Sequence, residues 1–212
     1  LDAFCAVRAI EPAAEALRRT LANRLVGLLA SATSDDWTWF EAGLSYDNAR
    51  LSQALIVTGQ AMDCAAYRIA GLTSLRWLMT LQTTKSGLFR PVGTDGFGMH
   101  RTPPKPFDQQ PVEAAAAIAA CLAAFRITGN QDWKREAERA FAWFLGDNDL
   151  AAPLVDVATG ACRDGLHADR ANDNRGGESV LSYLLGLSDI RACARSSWGH
   201  GAASPHSPTV NA

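Results

Sequence analysis

The sequence predicts an all-α fold built from antiparallel helical hairpins. Three observations carry that prediction. Apolar residues recur at helical spacing through several long runs. Strand-like runs are scarce, and Leu88-Phe89-Arg90-Pro91-Val92 could pair only briefly. A polar, acidic cluster also recurs just ahead of helical runs. It reads Trp37-Thr38-Trp39-Phe40-Glu41 leading into Tyr46-Asp47-Asn48-Ala49-Arg50. It returns as Phe107-Asp108-Gln109-Gln110-Pro111-Val112-Glu113, and again as Asn172-Asp173-Asn174-Arg175-Gly176-Gly177-Glu178.

Each element has a local reason. Residues 11–32 read as a helix, with Pro12 suited to the first turn and Leu17, Leu21, Leu25 and Leu28 recurring at helical spacing. Residues 33–46 form a polar, aromatic loop. A helix follows over 47–60 with Asp47 as its cap, and another over 63–82 carrying Leu75, Trp77 and Leu78. Residues 83–106 are a long loop rich in Gly and Pro. Residues 110–128 are helical with an Ala-rich face. Asn130 and Asp132 open a helix over 131–146, with Trp133, Ala137, Ala140, Phe141 and Phe144 inward. After a loop over 147–173 comes a last helix over 175–191. The helical domain spans 1–195, and residues 196–212 read as a disordered tail, being dominated by Gly, Ser, Pro and His.

A weak internal repeat supports the hairpins. Residues 48–78 and 113–145 each run polar cluster, apolar helix, Thr-Gly, second helix, aromatic end. In both, the glycine (Gly59, Gly129) sits where a helix would end.

Composition narrows the function. The 212 residues are 48% hydrophobic, enough for one sizeable core. A net charge of −2 favours neither nucleic acid nor an anionic membrane. No uninterrupted apolar stretch approaches the roughly 18 residues of a membrane span. The start lacks a signal-peptide pattern and an initiator Met, as a fragment or processed product would. The five cysteines are scattered without a CxxC, and Cys5, Cys64 and Cys121 lie in Ala-rich helical patterns. That usage fits a reducing compartment and a cytoplasmic protein. No HExxH, GxSxG or GxxxxGK motif occurs, so neither metal nor cofactor is expected.

Carboxylates, amides, Arg and Trp are the residue types that hold and cleave sugars, and they fill the repeated clusters. The stretches Trp39-Phe40-Glu41, Tyr46-Asp47-Asn48-Ala49-Arg50-Leu51, Phe107-Asp108-Gln109-Gln110-Pro111, Trp143-Phe144-Leu145-Gly146, Asp164-Gly165-Leu166 and Asn174-Arg175-Gly176-Gly177-Glu178-Ser179 resemble the six-hairpin toroid superfamily of sugar-acting proteins. The likeness is strongest to a bacterial helical domain found beside retaining glycosyltransferases of the family-4 type. It covers roughly residues 10–190. It implies an (α/α) ring of inner and outer helices with a sugar pocket at one end. The chain departs from a full toroid in supplying only about half of the hairpins, as a partial toroid. It also lacks a Gly-rich nucleotide-sugar fingerprint.

Glycoside hydrolysis needs two carboxyl groups flanking the bond, one of them protonated. Asp108 with Glu41 or Glu178 is the expected catalytic pair, and the tryptophans ahead of Glu41 would desolvate it. Trp37 and Trp39 offer a stacking platform. Further sugar contacts are expected from Asp47, Asn48, Gln109, Gln110, Glu113, Asp164 and Asn174. Arg90, Arg163 and Arg175 add guanidinium forks, and His100 and His167 add groups at the pocket mouth. Helix capping is the competing role for the acids, and core packing for the tryptophans. Three functions remain open: a carbohydrate-processing or -binding domain, an accessory domain bracing a glycosyltransferase partner or holding its acceptor glycan, and a helical-repeat interaction scaffold. A missing half-ring would leave an apolar edge, which predicts a homodimer.

Overall fold

Among residues 11–98 and 100–199, described by a computed structural model of the chain, six α-helices carry the fold. They are α1 (Pro12–Ala32), α2 (Ala49–Ala61), α3 (Ala65–Leu81), α4 (Pro111–Thr128), α5 (Gln131–Leu145) and α6 (Gly177–Gly199). Side chains are described as far as residue 195. A single antiparallel pair, β1 (Val155–Asp156) and β2 (Ala161–Cys162), sits in the long loop before α6, with Val155 opposite Cys162. The fold is all-α, as the periodicity predicts.

The helix ends follow their local chemistry. Pro12 and Pro111 stand in the first turns of α1 and α4, where a missing N–H costs nothing. The Asn130 side chain accepts a 2.9 Å hydrogen bond from the Asp132 amide and caps α5. Gly129 and Gly146 close α4 and α5 at φ 69° and 114°, a region that strains any residue with a Cβ.

Helix α4 occupies the centre. Every residue from Ala114 to Ala124 is buried, so its alanines admit close neighbours on all sides. It is long and apolar enough to cross a membrane, yet most of it lies inside the protein. It packs against α2 and α6 on its flanks and against α5, its hairpin partner. Gly186 of α6 faces Ile118 of α4 so closely that a Cβ there would meet the isoleucine at 3.0 Å. The Asp47–Glu113 and Tyr46–Glu178 hydrogen bonds bring the starts of α2, α4 and α6 to one end, so α4 and α6 run side by side in the same sense. Helices α2 and α3 form the first hairpin, with α1 laid across it. Their backbones nearly touch at Gly71, and buried Ser52 and Ser74 share a 2.8 Å hydrogen bond beside it. Fully buried Leu55, Ile56, Leu75, Leu78, Ile118 and Leu122 anchor the core. Each contributes about 1.5–3 kcal/mol by leaving water.

Several expectations need correction. Gly59 does not end α2; the helix continues to Ala61, and Gly59 instead lets the Arg68 backbone approach. The leucine stripe of α1 faces outward, with Leu17 51%, Leu21 38% and Leu28 47% exposed. The packed face uses Ala14, Arg18, Ala22 and Leu29 instead. Helix α6 runs to Gly199, so Ser196–Gly199 are helical rather than tail. The rest of the expected tail, and Cys5, lie outside the described residues. The stretch 88–92 makes one isolated bridge, Thr83 with Phe89.

Candidate functional site

The acidic clusters meet where α2, α4 and α6 begin, and Glu113 is the joint between two of them. It lies in the first turn of α4 and is 1% exposed. Its carboxylate accepts hydrogen bonds from the Asp47 amide and, at 3.0 Å, from the Asn48 side chain. Glu113 therefore holds the two residues that lead into α2, a neighbouring helix. Burial pushes its carboxyl up to about 7, against the downward pull of the Asn48 and Asp47 hydrogen bonds. Asp47 itself stands at φ 57° and does not cap α2 with its side chain. Its carboxylate lies 3.4 Å from Arg50, and burial holds it above the usual range despite that cation. Tyr46, next in line, donates a 2.9 Å hydrogen bond to Glu178 in the first turn of α6. That bond, then burial and the Glu178 charge, raise the Tyr46 phenol above its ordinary value.

Asp108 sits beside this row, held between loop segments. The Thr94 amide donates to the Asp108 carbonyl at 2.9 Å, and the Thr94 hydroxyl reaches its carboxylate at 3.3 Å. On the other side, Gln109 and Leu166 exchange backbone hydrogen bonds of 3.0 and 2.9 Å. Both approaches require glycine: a Cβ on Gly93 would meet the Phe107 carbonyl at 2.2 Å, and one on Gly165 the Gln109 carbonyl at 2.5 Å. His167 Nδ1 lies 3.2 Å from Asp108 Oδ1, within ion-pair distance. It is off line for a hydrogen bond, so Oδ1 has no hydrogen-bond partner. The Asp108 and His167 side chains are 29% and 32% exposed, although Asp108 Oδ1 itself is buried.

A buried network fixes the floor under Asp108. Gln109 is 0% exposed, and its carbonyl accepts from the Trp143 indole at 2.7 Å. Its amide donates to Asp149 and to the Pro106 carbonyl at 2.7 and 2.8 Å. Arg90 clamps the same Asp149 with a fork that includes a 2.9 Å bond from Nε. Burial alone would raise the Asp149 carboxyl, but the bonds from Arg90 and Gln109 bring it below its ordinary value. Asp164 likewise accepts from the Gly176 amide at 2.5 Å and from the Ser179 hydroxyl at 2.7 Å, capping α6.

The remaining expected site residues fall elsewhere. Trp37 and Trp39 are 4% and 0% exposed and offer no stacking platform. They are core, with Trp39 stacked on Trp77 at 5.8 Å. Glu41 is exposed rather than desolvated, and no hydrogen bond or ion pair joins its carboxylate to the other acids. His100 is exposed on its loop. Arg163 ties its own loop together through Asp173 at 2.7 Å and the Asn172 carbonyl at 3.1 Å. Gln110 precedes α4 without a side-chain cap bond. Asn174 and Arg175 are exposed, and the Asn174 carbonyl accepts from the Asp164 amide at 3.0 Å. Thr94, Tyr46 and Asp149 are the participants that sequence reasoning left off the site. Tyr46 adjoins Asp47 and was legible by position; Asp149 and Thr94 lie in long loops with no local signal.

Chemically, most acids at this end are engaged in structure. Glu113 holds α2, Asp164 caps α6, Asp149 is clamped by Arg90, and Asp47 faces Arg50. Asp108, partly exposed, and Glu178, exposed, are the two carboxylates of this end that neither cap a helix nor face an arginine. No group of three His, Cys, Asp or Glu side chains could hold a metal among the described residues. The chain matches no known family model and no curated protein.

Proposed function

We propose that the polar end where α2, α4 and α6 begin is a carbohydrate site, with Asp108 at its centre and Glu178 as the second carboxylate. The observation that carries this reading is the state of Asp108. Its side chain is partly exposed, with Oδ1 buried beside an imidazole and Oδ2 held only by Thr94, and it is not used as a helix cap. Sugar hydroxyls are donors and acceptors in one, so the Oδ2 side of this carboxylate, held by Thr94 alone at 3.3 Å, is a natural partner. In a glycosidase-like reaction Asp108 would exchange a proton with the glycosidic oxygen or a water, with His167 stabilising its charge. The row of helices further supports a partial toroid, with α2, α4 and α6 inner and α3 and α5 outer. The bonds joining the clusters weigh against a spread-out interaction scaffold.

A second reading is an accessory domain that holds an acceptor glycan for a glycosyltransferase partner. It is favoured by Glu41, which stands apart and leaves fewer carboxylates for turnover.

Wild type, Asp108→Asn and Glu178→Gln, incubated with a broad oligosaccharide panel, separate these readings. Released sugar, detected by mass, should fall about 10²- to 10⁴-fold in Asp108→Asn if the proton transfer is real. Calorimetric binding without release, weakened about 10- to 100-fold by Asp108→Asn, supports the accessory reading. Neither release nor binding for any sugar removes the carbohydrate assignment.

A further inference from the structure

The helical row ends in two unlike apolar edges. At one end, α6 presents Leu181, Leu184 and Leu185 at 57%, 47% and 50% exposure, on one face by their spacing. At the other, α1 and α2 enclose a groove of about 580 Å³. Leu21, Ala22 and Leu25 line it from α1, and Ala54 and Val57 from α2. One edge is a ridge and the other a trough, and neither is self-complementary.

We propose that two copies of this chain close on each other, with the α6 ridge of each seated in the α1–α2 groove of the other. This inference does not rest on the carbohydrate reading, although both use Glu178. Charge order argues for the second copy as occupant. The Tyr46–Glu178 hydrogen bond brings the starts of α2 and α6 to one level. If a partner's α6 lies beside α2 in the sense that α6 lies beside α4, equal distances along the two helices meet. Glu178 then comes level with Arg50, each being the second residue of its helix. The three leucines come level with Ala54 and Val57. Exposed Arg191 comes level with Asp63, just past the end of α2, whose side chain is 98% exposed. The ridge thus reads acid, apolar, base against base, apolar, acid. The reversed orientation would set like charges together at both ends. A ridge and trough on opposite ends of one row make a heterologous contact, which closes into a ring or runs on as a filament. A two-copy closure satisfies both edges of both chains.

Sedimentation equilibrium of the full chain tests this at about 100 μM, where even a modest association would show. The expected species has twice the 22.7 kDa chain mass. Leu184→Glu should return it to monomer with its helical circular dichroism intact. Arg191→Glu should weaken the dimer several-fold, and adding Asp63→Arg should restore it. A wild-type monomer, open-ended growth with concentration, or a dimer indifferent to Leu184→Glu would overturn the proposal. A monomer would leave the groove to a helix from another chain.

Discussion

A carboxyl group that titrates near neutrality inside a protein ties stability to pH, and Glu113 is that group here. Its folded value of about 7 lies above the ordinary 4.5, so the folded chain holds this proton more tightly than the unfolded chain does. The resulting stabilisation is complete below about pH 4.5 and is lost as pH rises through about 7, a span of roughly 3 kcal/mol. Melting temperature should therefore fall from pH 5 to 7.5 in wild type. Glu113→Gln should flatten that fall, measured as the difference between the two melting curves across pH. An equal slope in both proteins would mean that the proton sits elsewhere. The sequence marked Glu113 as a first-turn acid, which is correct. It could not show that its carboxylate holds the lead into α2, because that contact joins residues 66 apart. Asp149 was illegible for the same reason: its partners Arg90 and Gln109 come from two other segments. Trp37 and Trp39 misled because buried and sugar-stacking tryptophans look alike in a linear string.

Helices were the legible level. Gly129 at the end of α4 and Asn130 ahead of α5 placed both helices to within a residue or so. Spacing alone could not orient α1, because its stripe of leucines is as periodic as a packed stripe, and only the neighbours decide which face is inside. Close packing is likewise an element-level property. A methyl group on Gly71 would come within 2.8 Å of the Ile56 amide and the Ser52 carbonyl, both backbone atoms that cannot rotate away. Gly71→Ala should therefore push α2 and α3 apart and cost about 1–3 kcal/mol in urea unfolding. Gly27→Ala is the counterpart in α1, where a methyl group meets nothing within 4 Å. It should gain roughly 0.5–1 kcal/mol from helix propensity alone. If both substitutions behave alike, the tight crossing is not what limits Gly71.

At the scale of the whole molecule, the row α2, α4, α6 explains why acids from distant stretches share one end. The repeat predicted the hairpins, and their adjacency gathers the polar starts of the helices. The outward apolar faces at both ends of the row were only partly foreseeable. A half-ring was expected to leave an edge, but which leucines would form it depended on the turn of α1 and α6.

The bond from Asp47 to Glu113 also has a consequence in time. A ribosome releases the chain from its N-terminus, so all of α2 exists before Glu113 has been made. At about 5–20 residues per second, the 66 residues between them take roughly 3–13 s to add. Through that interval the lead into α2 must wait, the Asp47 amide held by water, until a later part of the message supplies the carboxylate that completes it.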